Sequence, residues 1–268
     1  MLPIIQQKKL REGKSYTIAL IIDDLRSYIF SAIADEIIVY AAENKYAVSV
    51  FITNGDDTKE RNAITNAVGC GVDGIIIAPV QSSGENFAYL KKCGVAYVLL
   101  GRVYDEFGDD LSVVYDEIRI GYLTAENLLC NGHSDIAVFN GEEHIYASKR
   151  RLEGIRSAFY SYGKEFKEQN IYNLPINIHS NHRILREAVS KAAENCTTII
   201  CYDDNIALEA ASCLDETGRS VPEDISLTGF GNIQKNMFFM PEHCSLGPTN
   251  ETPVFMRVCG VAVQFCLQ

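Results

Sequence analysis

Carboxylates, an arginine and aromatic side chains stand at the ends of several apolar runs in this chain. Such a mixture can hold a polyhydroxy molecule, because carboxylate and amide oxygens accept hydroxyl hydrogens, a guanidinium donates from its fork and a ring covers an apolar sugar face. The candidate ligand-binding residues are Asp23, Asp24, Tyr28, Phe30, Asp116, Arg151, Asp203 and Asn232. These residue types predict a binding site for a small polar ligand.

Each candidate also has a structural interpretation. Asp203, and Asp204 beside it, follow an apolar run and precede a helical pattern, so either residue could simply cap that helix. Arg151 is the last of three consecutive basic residues and could be a surface charge on a helix. Tyr28 and Phe30 could pack in the core, as aromatic residues commonly do. The sequence alone leaves these alternatives open.

The motifs of common catalytic and cofactor sites do not support an enzyme. The first predicted strand-to-helix turn, residues 23–27, contains no glycine and so lacks the fingerprint that lets a backbone approach a pyrophosphate. The chain contains neither GxxxxGK[ST] nor GxSxG, and its five histidines show no pairing with a nucleophile. Its nine cysteines have no metal-ligand spacing. We predict no enzymatic activity, no cofactor and no metal.

Composition narrows the class of protein further. The chain has 268 residues, of which 47% are hydrophobic and 22% charged, which is ordinary for a globular protein with one large or two moderate cores. The net charge of −11 disfavours direct binding to nucleic acid, because phosphate contacts need clustered Lys and Arg. Scattered cysteines favour reduced thiols. With no signal peptide or spanning segment in the sequence, we expect a cytoplasmic protein without membrane contact.

Alternating apolar runs and helical patterns must position the candidate residues. A continuous apolar run, Thr17–Ile22, is typical of a strand buried on both faces of a parallel sheet. Further strands are predicted at 48–52, 74–78, 97–100, 113–114, 135–139, 171–178, 197–201 and 225–227, with helical patterns between most of them. This alternation predicts an α/β fold with right-handed crossovers, and its restart near residue 135 predicts two lobes with a cleft between them.

Several motifs resemble those of one family, the effector-binding core of the lactose-repressor/galactose-repressor (LacI/GalR) transcription regulators. Val72–Ile76 resembles the family's VDGII strand, and Val221–Phe230 resembles VPEDIS..GF. Asn131–Ala137 is similar to GH..IA, and Gly141 with Arg151–Ile155 is similar to G…R..GF. The stretch 10–15 looks like the linker that joins the family's hinge helix to its core. The matches follow the family's order along nearly the whole chain.

The resemblance implies two Rossmann-like lobes with parallel sheets, the periplasmic-binding-protein type I fold. It also implies a homodimer, a small effector such as a sugar or nucleobase derivative in the cleft, and operator DNA bound only through an N-terminal domain missing from this chain. By position, Arg151 matches the arginine that grips the ligand, and Asp116 an acidic residue near the cleft. Asp203 stands where the family usually has Asn, and Gly231 where it commonly has Asp, so the effector itself is not implied.

The predicted organisation follows from this resemblance. Residues 1–14 form a linker, 15–131 with 247–268 the N-terminal lobe, and 132–246 the C-terminal lobe. The predicted function is the effector-binding core of a transcriptional regulator, in which lobe closure controls DNA binding by a dimer. The alternative is a solute-binding protein of a transporter, which shares the fold.

Overall fold

Two α/β units make up the described part of the chain. The computed structural model describes residues 13–80, 84–103, 112–142, 145–175, 182–231 and 244–246. One unit contains the described residues up to Tyr115, and the other begins at Asp116. Both units contain a five-stranded sheet whose paired strands are all parallel.

The first unit contains a doubly wound sheet with the strand order β2-β1-β3-β4-β5. Its elements are β1 (Thr17–Ile22), α1 (Tyr28–Glu43), β2 (Ala47–Ile52), α2 (Asp57–Gly69), β3 (Gly74–Ile77), α3 (Glu85–Cys93), β4 (Ala96–Leu100) and β5 (Ser112–Val113). Strand β1 lies inside the sheet, so its continuous apolar run is buried on both faces. Ile18, Leu20 and Ile22 pack with α1, whereas Ala19 and Ile21 pack with α2 and α3. Burial of each large aliphatic side chain contributes about 2 kcal/mol.

The second unit repeats this arrangement with the strand order β10-β9-β8-β6-β7. Its elements are α4 (Glu117–Cys130), β6 (Ile136–Asn140), α5 (Tyr146–Ser161), a 3₁₀ turn (Glu168–Asn170), β7 (Ile171–Asn173), α6 (His182–Asn195), β8 (Thr198–Cys201), α7 (Asp204–Glu216), β9 (Ser226–Phe230) and β10 (Cys244–Leu246). Helices α6 and α7 cover one face of the sheet with a core that includes Phe139 and Ile199. Helices α4 and α5 cover the other, around Val138 and Ile200.

Two glycines bring the backbones of α4 and α5 into contact. A Cβ atom on Gly121 would lie 2.1 Å from the carbonyl oxygen of Arg151, and one on Gly154 would lie 2.0 Å from the carbonyl oxygen of Ile118. Neither distance is compatible with a side chain, so both positions require glycine in this packing. The close approach brings residue 151 of α5 against the first turns of α4.

The parallel sheets confirm the predicted α/β architecture, and several element limits differ in an informative way. Helix α4 begins at Glu117, because Asp116 caps it. Strand β7 ends at Asn173, whereas the sequence predicts a strand to residue 178; residues 176–181 lie outside the described part. Residues 1–12 and 247–268 also lie outside the described part, so the predicted linker and the predicted lobe limit at residue 247 stay predictions. The described units divide between Tyr115 and Asp116, before the predicted lobe limit at residue 131.

Candidate functional site

Two adjacent carboxylates at the carboxyl end of β1 have different surroundings. Asp24 Oδ1 accepts hydrogen bonds from the backbone N–H groups of Arg26, at 2.6 Å, and Ser27, at 2.8 Å. Asp23 Oδ1 is buried and accepts no hydrogen bond from the described residues. Burial, and then the neighbouring Asp24, raise the pKa of Asp23, opposed by the Gly55 backbone and Arg26. Asp24 therefore stabilises the turn after β1, whereas Asp23 carries a buried oxygen that has no hydrogen-bond partner among the described residues.

Replacing these two carboxylates should change stability in opposite directions. Because the pKa of Asp23 is raised in the folded chain, its ionisation opposes folding above that pKa, and the penalty disappears as the pH falls through it. Asp23→Asn should raise Tm at pH 7 by about 2 °C and flatten the pH dependence of Tm. Asp24→Ala should lower stability by about 1 kcal/mol, because two backbone donors lose their acceptor. Thermal unfolding between pH 4 and pH 8 measures both, and a destabilised Asp23→Asn variant contradicts the argument.

The two aromatic candidates lie in helix α1. Tyr28 is the first residue of this helix. Phe30 is partly buried and packs against the core that β1 and α1 share. Core packing therefore accounts for at least part of the role of Phe30.

The acidic candidates of the second unit both cap helices. Asp116 Oδ1 accepts the backbone N–H of Arg119 at 2.9 Å at the start of α4. Asp203 Oδ1 accepts that of Ile206 at 2.8 Å at the start of α7. Burial raises the pKa of Asp203, and Asp204 adds to this, while the Ile206 N–H group and Arg151 oppose it. The capping interpretation thus applies to both residues, and each cap engages one oxygen of the carboxylate.

Arg151 is held in place from several sides. Its Nε lies 2.5 Å from Oε2 of Glu117, and its Nη1 donates to the carbonyl oxygen of Tyr202 at 2.8 Å. The guanidinium carbon lies 4.5 Å from the ring centre of Phe230 and 5.2 Å from that of Tyr202, within the range of cation–π attraction. The side chain is only 13% exposed, which argues against the surface-charge alternative.

The surroundings of Arg151 keep it charged. Burial lowers the pKa of this guanidinium, but Glu117, Tyr202 and Asp203 together more than reverse that, so the pKa lies above its ordinary value. Burial raises the pKa of the Tyr202 hydroxyl to about 12, so this ring is neutral under ordinary conditions. The result is a fixed cation that lies close to two aromatic rings and to one carboxylate.

Glycines make room for this arrangement as well. A Cβ atom on Gly141 would lie 2.5 Å from Oγ of Ser148 and 3.0 Å from the ring of Tyr202. One on Gly229 would lie 2.2 Å from Oδ1 of Asp204. The sheet can therefore approach α5 and α7 closely only because these strand-end positions carry no side chain.

Three members of the cluster around Arg151 are absent from the candidates predicted from the sequence. They are Glu117, Tyr202 and Phe230. Tyr202 directly precedes Asp203 and follows β8, so the strand-end argument that selected Asp203 applies equally to it. Glu117 is paired with a residue 34 positions away, which no local pattern indicates. The predicted residue Asn232 lies outside the described part of the chain.

The described ranges contain no group of three His, Cys, Asp or Glu side chains placed to hold a metal ion. No helix within them combines the length and the hydrophobicity that crossing a membrane requires.

Sequence comparison finds one matching family. The model of the family described as periplasmic binding proteins and sugar binding domain of the LacI family matches residues 15–248. The arabinose metabolism transcriptional repressor of Halalkalibacterium halodurans is 27% identical over 236 residues, which cover 84% of this chain and 61% of that protein. The HTH-type transcriptional repressor PurR of Actinobacillus pleuropneumoniae is 25% identical over 241 residues, which cover 89% of this chain and 70% of that protein. The chain therefore spans well under the full length of both relatives.

Comparison with solved structures supports the same fold. A transcriptional regulator solved as a CelR–cellobiose complex superposes with a TM-score of 0.82 at 20% identity, covering 98% of this chain and 81% of that one. This likeness confirms the predicted fold of two Rossmann-like lobes with parallel sheets. The three similar proteins are named as regulators and none as an enzyme, as the sequence predicts.

Proposed function

Since the chain belongs to the family of periplasmic binding proteins and LacI-type sugar-binding domains, as its motifs predict, we propose that it is the effector-binding core of a cytoplasmic transcriptional regulator. Its effector is a small polar molecule, a sugar or a related compound, that binds between the two lobes. Binding favours the closed arrangement of the lobes in a dimer and so changes the affinity for operator DNA.

The cluster around Arg151 is the observation that supports this proposal most. It lies where β8 and β9 end, and in parallel α/β sheets ligands bind outside the carboxyl ends of the strands. A buried guanidinium with two fixed partners and two rings is organised before any ligand arrives, which lowers the entropy lost on binding. The similar proteins agree with a sugar or a related effector, since one is an arabinose repressor and another is bound to cellobiose.

Control by closure requires the ligand to bind one arrangement better than the other. A shift from 1:99 to 99:1 needs about a 10⁴-fold difference in affinity between the two arrangements. Fixed groups such as Arg151 can supply such a difference when the opposite lobe completes their contacts only on closure. The operator is bound by a separate DNA-binding segment, because a net charge of −11 does not favour phosphate contacts by the core itself.

Calorimetry with defined ligands tests the effector function. The probes are arabinose, ribose, glucose, cellobiose, adenine and hypoxanthine, titrated into the folded chain. We expect one of these chemical classes to give saturable heat, with Asp23→Asn weakening the response and Arg151→Met abolishing it. A protein that is folded by circular dichroism and binds none of the probes contradicts the proposal.

The reading frame upstream of the chain separates the regulator from a transporter's solute-binding protein. Both would bind ligand with the same fold, so binding alone does not decide between them. A helix-turn-helix segment encoded upstream supports the regulator, and a secretion signal supports the solute-binding protein.

An apolar edge of the first unit supports the homodimer. Strand β2 is the outer strand beside β1, and its sequence AVSVFI is apolar at all but one position. Val50 of this strand is 37% exposed, and on α1, which packs beside it, Ile38 and Val39 are 43% and 51% exposed. Exposed apolar edge strands tend to pair with another chain. A second copy of this chain, presenting the same surface, is the proposed partner.

Charged substitutions on this edge should separate the dimer. We expect the double variant Ile38→Lys, Val39→Lys to sediment as a single 29.8-kDa chain, whereas the original protein sediments at twice that mass. The reason is that lysines buried without partners oppose association. Tyr160→Lys, at an 87% exposed position of the second unit, is the control and should leave the dimer intact. An original protein that is monomeric at every concentration contradicts dimerisation.

A further inference from the structure

Glu117 compensates the charge of Arg151, and we propose that this pair selects an uncharged polyhydroxy effector and rejects phosphorylated or carboxylated ones. The inference rests on the proposed function, because it concerns the ligand of the same site. Glu117 acts here as a specificity-determining residue. It is buried, at 9% exposure of its side chain, and lies in the first turn of α4.

The hydrogen bonds of Arg151 bear on this selection. An arginine grips a phosphate or carboxylate most strongly through two parallel N–H groups. In this chain Nε already donates to Glu117, and Nη1 donates to the carbonyl oxygen of Tyr202. The side-on fork formed by Nε and Nη2 therefore lacks one of its two donors, and the end-on fork shares Nη1 with the carbonyl oxygen of Tyr202. An anion could recover the side-on fork only by displacing Glu117, which would leave that carboxylate buried without its partner.

The charges near Arg151 also disfavour an anionic ligand. Glu117 contacts the guanidinium, and Glu117 and Asp203 both raise its pKa electrostatically, so the negative charge of two carboxylates acts on one cation. Asp204, next to Asp203, is completely buried at the start of α7. A ligand with its own negative charge meets net repulsion in a region shielded from water, where charges interact more strongly than in solution. A neutral ligand avoids this repulsion.

The atoms of the pair that remain available match a hydroxyl group. Oε1 of Glu117 is an acceptor and Nη2 of Arg151 is a donor, and neither takes part in a hydrogen bond with the described residues. A hydroxyl group both donates and accepts, so neighbouring sugar hydroxyls can use both atoms. A phosphate oxygen only accepts and cannot satisfy Glu117. The pair therefore favours ligands rich in hydroxyl groups over anions.

Matched pairs of neutral and anionic probes test this inference. The pairs are glucose with glucose 6-phosphate, glucose with glucuronate, and ribose with ribose 5-phosphate, each titrated calorimetrically at constant ionic strength. In the original protein we expect the neutral member of a pair to bind at least about tenfold more tightly. Glu117→Gln removes one negative charge at nearly constant shape and should reduce this preference about tenfold. Inorganic phosphate should raise the Tm of this variant and not that of the original protein.

Two further variants separate charge from structure. Glu117→Asp keeps the carboxylate and should retain the preference for neutral probes. Glu153→Gln removes the same charge from an exposed pair with Arg150 on α5 and should leave the preference unchanged. This comparison shows whether the preference depends on the carboxylate at residue 117 or on the overall charge.

Each outcome has a distinct meaning. Anionic probes that bind the original protein as tightly as their neutral partners overturn the inference but leave the effector function in place. An unchanged preference in Glu117→Gln also overturns it. If no probe of either kind binds the folded protein, the proposed function is contradicted and the inference falls with it.

Discussion

Replacing Arg151 with Met should abolish detectable effector binding and lower the free energy of unfolding by about 3–5 kcal/mol. The ligand loses the fixed guanidinium of the proposed site. Stability falls because Glu117 is left buried without the cation that lies 2.5 Å from it. The rings of Phe230 and Tyr202 also lose their attraction to that cation. Urea unfolding followed by circular dichroism gives the free energy, since the chain has no tryptophan to report it by fluorescence.

A second substitution separates the loss of effector binding from the loss of stability. In Arg151→Met, Glu117→Gln no buried charge is left unpaired, so most of the lost stability should return while binding stays absent. Arg150→Met is the matched control: its partner Glu153 is about one-third exposed, so the variant should change stability by less than about 1 kcal/mol. An Arg151→Met protein as stable as the original would show that the pair contributes nothing to folding.

The sequence predicts the sheets better than it predicts the site. The apolar run Thr17–Ile22 is typical of a strand buried on both faces, and a parallel sheet covered by helices provides that burial. The family motifs predict the fold type, which is confirmed, and a ligand-binding role for Arg151, which stays a prediction. The sequence cannot assign one role to Asp116 and Asp203, because the residue types that accept ligand hydroxyls are also those that cap helices. In the structure both residues cap helices.

The partners of Arg151 are harder to predict because they depend on tertiary contacts. Glu117 follows Asp116 directly and looks like an ordinary acidic residue in the first turn of a helix. Its role appears only when α4 and α5 are packed together, and that packing depends on Gly121 and Gly154. Gly154 belongs to the motif that identifies the family, but the motif does not reveal that this glycine sets the distance between two helices.

The contact between these helices gives the second prediction with a large expected effect. Gly154→Ala should lower the free energy of unfolding by about 3 kcal/mol and weaken effector binding. The added Cβ atom would lie 2.0 Å from the backbone oxygen of Ile118, and a backbone atom cannot move aside as a flexible side chain can. Helices α4 and α5 must therefore separate, which draws Arg151 away from Glu117. Urea unfolding and calorimetry measure the two effects.

Gly69→Ala is the control that isolates the helix contact. Gly69 is also helical, at the end of α2, and a Cβ atom there would meet no atom within 4 Å. Alanine favours the helix more than glycine does, so this variant should be as stable as the original or more stable by up to about 1 kcal/mol. The same substitution should thus have opposite signs at the two positions. If Gly154→Ala is instead as stable as Gly69→Ala, the close approach of α4 and α5 does not position Arg151.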